Sequence, residues 1–125
     1  MRGASAVEET IEKRPGAPLS VFAVWEPVLW TDAAPPTTSV LSRLRDPRAV
    51  QYWDPERALS REILRQARFD PALSRALGEV PEDAVVWDFV AVFPPGARWD
   101  GRFPKPGAYG FPVVEAIGDV ERHLP

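Results

Sequence analysis

A chain of 125 residues has room for one hydrophobic core, burying about 65–70% of its unfolded surface, and reads as a single domain over residues 1–125. Net charge is −3, and the 15 Lys and Arg are dispersed among 18 Asp and Glu, so no basic stripe offers phosphate contacts and nucleic acid is not an expected partner. The absence of cysteine excludes disulfides, thiolate nucleophiles, Cys-ligated zinc and thiol redox cycling.

The opening residues Met1-Arg2-Gly3-Ala4-Ser5 run into Glu8, Glu9 and Glu12, unlike a signal peptide. No apolar run approaches the ~20 residues of a membrane span, so a membrane is not an expected partner. As written the chain reads as cytoplasmic; an export signal on a missing upstream segment would change that.

Ala4, Val7 and Ile11 share one face of a first helix that Pro15-Gly16 ends. Leu19–Trp25 is a short apolar run rich in β-branched and aromatic residues, which predicts a parallel strand buried on both faces. Prolines at 27, 35 and 36 make a loop of the next stretch, through Pro36. A helix starting near Thr37 or Thr38 would turn Val40, Leu41 and Leu44 inward.

Three Asp-Pro pairs, Asp46-Pro47, Asp54-Pro55 and Asp70-Pro71, each predict a helix start, with the carboxylate as N-cap and proline at the first helical position. The longest such helix is expected over Pro55–Arg68, with Leu59, Ile63, Leu64 and Ala67 inward. A shorter one runs through Leu73 and Leu77 to Gly78. Pro81-Glu82-Asp83 reads as a turn, and Ala84–Phe93 as a strand stopped by Pro94-Pro95-Gly96. Phe111–Val114 is expected as a short edge strand, and Ile117, Val120 and Leu124 mark a terminal helix.

This order, with one strand added in front, is that of a thioredoxin fold. The chain resembles a poorly characterised group of bacterial thioredoxin-like proteins in three stretches. These are Val24-Trp25-Glu26-Pro27-Val28-Leu29-Trp30-Thr31-Asp32, then Asp46-Pro47-Arg48 with Gln51-Tyr52-Trp53-Asp54, and Trp87-Asp88 leading to Phe93-Pro94-Pro95-Gly96-Ala97-Arg98-Trp99. The resemblance implies an α/β fold: a thioredoxin-like three-layer sandwich with its first strand missing and an enlarged helical insertion over about residues 26–83. In such proteins the first strand ends in Cys-x-x-Cys just before the first helix, whose N-terminal field stabilises a thiolate. Neither the strand nor either cysteine has a counterpart here.

Two functional readings are open. In the first, the chain is a redox-inactive, N-terminally truncated remainder of a thiol-disulfide oxidoreductase-like parent, with no catalytic residue, cofactor or metal of its own. In the second, it is a non-catalytic binding or structural module that meets a protein partner, or its own copy in a homodimer. The expected partner-binding surface is Trp25, Glu26, Trp30, Asp32, Trp53 and Asp54, gathered at the sheet edge where the family keeps its active site. Against it stands plain packing of the tryptophans, with Asp32 and Asp54 as caps.

Asp88, inside an apolar stretch, is either a buried carboxylate, or one that faces solvent or pairs with an arginine. His123 is the only histidine, which excludes a multi-His zinc site, and its place near the end points to a helix-terminal role. The acidic residues are better spent as N-caps than on Mg²⁺, and the glycines of 96–110 have no strand-turn-helix context for a phosphate loop.

Overall fold

The computed structural model describes residues 2–81 and 83–125, so Met1 and Glu82, the latter within the expected Pro81–Asp83 turn, lie outside the described residues. The chain is α/β. Its elements in order are α1 (Arg2–Glu12), β1 (Val21–Trp25), α2 (Thr38–Leu41), β2 (Ala49–Trp53), α3 (Ala58–Ala67), α4 (Pro71–Leu77), β3 (Val90–Val92), β4 (Ala108–Gly110) and α5 (Val113–Glu121). Among the described residues no helix is long and apolar enough to cross a membrane.

β1 forms where the apolar run predicts it, and its pairing is parallel, but its partner is β2, with Val21 opposite Ala49 and Trp25 opposite Trp53. The expectation of burial on both faces is overturned: Phe22 is 65% exposed, with Val50 and Tyr52 exposed on the same face. Phe22 stacks on Tyr52 at a centroid distance of 6.4 Å. β3 and β4 make a separate antiparallel pair.

β2 corrects the reading of Asp46-Pro47. The Asp46 carboxylate caps no helix, because Arg48 occupies it through its backbone N–H (2.9 Å), Nε (2.8 Å) and Nη2 (2.7 Å). The same guanidinium donates to the carbonyls of Ile11 (2.8 Å), Arg14 (2.7 Å) and Ala17 (3.1 Å), so it closes the C-terminal end of α1 while the chain enters β2. Buried Glu8 helps from α1, accepting the backbone N–H groups of Arg45 (2.9 Å) and Asp46 (3.2 Å).

Asp54-Pro55 is also displaced: residues 55–57 form a turn, Arg57 takes a left-handed φ of 56°, and α3 starts at Ala58 rather than Pro55. Only Asp70-Pro71 behaves as expected, Asp70 accepting from Ala72 N–H (2.9 Å) and Leu73 N–H (3.1 Å) at the start of α4, which Gly78 ends at φ 73°.

The expected strand Ala84–Phe93 shrinks to β3, since the residues before Val90 have no ladder partner. The expected strand Phe111–Val114 does not form: β4 lies earlier, and Val113 and Val114 open α5 behind a cis Phe111–Pro112 bond. Pro112, fixed in φ and lacking a donor, stands as α5's N-cap, where no ladder bond is asked of it.

The core is sparse. Among the described residues its buried apolar members are Ile11, Leu44, Ile63, Ala67, Leu73, Val113 and Val120, and the one side chain below 2% exposure is Ser60. Ile63, Ala67 and Leu73 join α3 to α4, and Leu59, Val86, Phe89 and Tyr109 pack around them. Accessible surface is 8411 Å². A folded monomer of this mass typically exposes about 6,700 Å².

Candidate functional site

Parallel pairing of β1 with β2 brings their C-terminal ends together, and the next residue of each strand is acidic: Glu26 after Trp25, Asp54 after Trp53. The Asp54 N–H donates to the Trp25 carbonyl at 2.8 Å, holding the two ends in register. The carboxyl end of a parallel sheet is where open α/β folds place ligands. Four of the six expected surface residues therefore do converge.

Their side chains are turned to other partners. Glu26 Oε1 accepts Ser60 N–H at 3.0 Å and Oε2 accepts the Ser60 hydroxyl, while Asp54 Oδ2 accepts Leu59 N–H at 2.9 Å. Both carboxyls thus satisfy free donors in the first turn of α3, from outside the helix, because the Asp54-Pro55-Glu56-Arg57 turn delays its start. Burial is the main cause that pushes the Glu26 carboxyl above its usual range; the Ser60 bonds oppose this and the adjacent Asp54 carboxyl reinforces it.

Ser60 also accepts Val86 N–H at 2.9 Å. Its oxygen is engaged on both sides and its side chain is sealed from solvent, so it is a junction between β1, α3 and the segment leading to β3 rather than a nucleophile. Sequence reasoning missed it. The signal was a serine on the inward face of α3, one and two turns before Ile63 and Ala67.

Trp25 is held in place by the sheet: its Nε1 donates to Gln51 Oε1 at 3.0 Å, and Gln51 Nε2 donates to the carbonyls of Leu41 (3.0 Å) and Leu44 (2.9 Å). Trp30 and Asp32 do not join the cluster. Asp32 accepts Val28 N–H (3.2 Å) and Leu29 N–H (2.9 Å) within its own loop, and Trp30 stands 92% exposed at the tip. The expected six-residue surface is thus divided into a capped junction and a separate apolar loop tip.

No family model, curated protein or solved structure matches this chain.

Other candidates resolve locally. Asp88 lies outside the strand, half-buried at a left-handed φ of 53°, with Oδ1 against Gly3 in the first turn of α1, where a carboxylate complements the helix dipole. Exposed His123 meets the Asp119 carbonyl through Nδ1 at 3.0 Å, as a helix-terminal residue. Among the described residues no group of three His, Cys, Asp or Glu could hold a metal. Two surface hollows share Leu64, Leu77 and Val80, and neither is lined by Glu26 or Asp54.

Proposed function

We propose that this chain is a redox-inactive, thioredoxin-like domain that works as a non-catalytic binding module, taking an extended strand at an open sheet edge. The observation that carries this reading is the division of four strands into two separate pairs. In the parallel ladder Val21 N–H reaches Arg48 O and Trp25 O receives Asp54 N–H, so alternation points the N–H and C=O of Phe22 and Val24 away from β2. Among the described residues these groups meet no hydrogen-bond partner. Unpaired strand edges are templates for another strand.

Chemistry supports the non-catalytic half of the reading. Sulfur is absent except in one methionine, the acidic pair is committed to α3, and Ser60 is enclosed. After α1 the order is strand, helix, strand, two helices, hairpin and helix; the closing hairpin and helix are the part that supports the thioredoxin-like resemblance, and β2 is a strand additional to that order.

Two measurements test it. Insulin disulfide reduction by dithiothreitol should run at its background rate with the protein present, and acceleration overturns the redox-inactive assignment. Amide exchange in dilute solution should be fast at Phe22 and Val24 and slow at Val21, Ala23 and Trp25. Equal protection along β1 overturns the open edge.

A further inference from the structure

We propose that the open edge of β1 pairs antiparallel with the same edge of a second copy of this chain, about a two-fold axis at Ala23. This rests on the proposed open edge and names its occupant.

The register follows from the ladder. With the axis at Ala23, Phe22 of each copy faces Val24 of the other, and these are the residues whose backbone groups point outward from β2. In an antiparallel pair such residues form hydrogen-bonded partners, so both N–H and both C=O groups of each copy are satisfied together. Ala23 meets Ala23 at the intervening position, where antiparallel chains come closest, about 4.5 Å between Cα atoms, and a small side chain suits that approach.

Nothing on the edge opposes this pairing. Val21–Trp25 contains no charge, proline, glycine or bulge, the usual devices that keep strand edges apart. At the ends, Glu26 falls opposite uncharged Ser20, so no carboxylate faces its own copy. The result is a continuous four-stranded sheet in the order β2-β1-β1-β2.

Side chains agree: on the solvent face Phe22 of each copy gains Val24 of the other as a cross-strand neighbour, beside the exposed Val50 and Tyr52 of β2. The isologous arrangement also closes on itself, so it ends at a dimer and does not propagate.

Sedimentation equilibrium of the full chain, from low micromolar to millimolar, should show apparent mass rising toward twice that of the chain. Exchange at Phe22 and Val24 should slow over the same range. Val24→Pro removes an outward N–H and no bond to β2, and Phe22→Lys puts a charge on the solvent face beside the edge; both should hold the chain monomeric with an unchanged circular dichroism spectrum. If the proline variant loses that spectrum, the lysine variant decides. A monomer at every concentration with fast edge exchange overturns the dimer while leaving the open edge intact, as does edge protection gained only on adding an extended peptide of other sequence. A dimer that persists in the folded variants also overturns it, since the contact is then elsewhere.

Discussion

Ser60 donates to Glu26 twice, through its backbone N–H at 3.0 Å and through its hydroxyl, and so ties the first turn of α3 to the end of β1. Because the same hydroxyl accepts Val86 N–H, one oxygen links three stretches of chain far apart in sequence.

Replacing that hydroxyl isolates the junction. Ser60→Ala leaves Val86 N–H without its acceptor and one Glu26 oxygen without its donor, both half-buried around a side chain that is itself 1% exposed. An orphaned buried group costs about 1–3 kcal/mol. Urea unfolding should show a loss in that range with an unchanged slope; a loss within error would mean that water enters and replaces the hydroxyl.

The Glu26 carboxyl gives the molecule a pH dependence of definite sign. Its folded-state pKa is raised above 4.5, so folding favours the protonated form. Its contribution to stability is therefore complete below about pH 4.5 and lost as pH rises through the folded value. Glu26→Gln keeps an acceptor for Ser60 and carries no charge. The stability difference between variant and wild type should favour the variant at neutral pH and vanish toward about pH 4.5. Guanidinium titrations across that range measure it. Glu62 and Asp46, each held down to about 2 by arginine hydrogen bonds, act in the opposite sense and at lower pH, so the window above 4.5 is free of them.

How much could be read from the sequence depends on how local each signal is. Asp70-Pro71 caps α4 because its acceptor and both donors lie within four residues. Asp46-Pro47 carries the same local signal, yet Arg48 takes its carboxylate and ties it to α1, more than thirty residues away. Ala49-Val50-Gln51-Tyr52-Trp53 carries a strand composition that the Asp-Pro reading displaced, although Val50, Tyr52 and Trp53 favour a pleated surface. At the site, Glu26 and Asp54 are expected among six residues at one sheet edge, but not as neighbours closing two paired strands, because Asp54 reads as the cap of a helix and β2 is not expected. That they serve α3 is not legible either, since this depends on the extra turn at 55–57.

Gly3 is expected to reject a methyl group. A Cβ there would stand 2.4 Å from Asp88 Oδ1 and 3.1 Å from Val113 Cβ, inside the contact of α1 with α5. Gly3→Ala should destabilise by about 1–3 kcal/mol, despite the better helix propensity of alanine. If Asp88 is the obstacle, Asp88→Gly added to it should recover most of the loss, because a glycine also suits the left-handed backbone at that position. Thermal unfolding of the two variants reads both effects, and no recovery would assign the clash to Val113.

Arg48 offers the sharpest test of how α1 is held. Its guanidinium contacts the Ile11 carbonyl in the last turn of α1, the Arg14 and Ala17 carbonyls in the turns that follow, and two oxygens of Asp46 at once, which needs a planar fork with several donors in fixed directions. A lysine preserves the charge and can reach only part of that set. Charge alone would let Arg48→Lys behave like wild type, whereas the geometry requires it to fall closer to Arg48→Ala. In both variants amide exchange should accelerate first at Arg14 and Ala17, whose N–H bonds to Ile11 O and Arg14 O lie under the guanidinium. Retention of wild-type exchange in the lysine variant would show that the positive charge at the helix C-terminus suffices, and that the fork is dispensable.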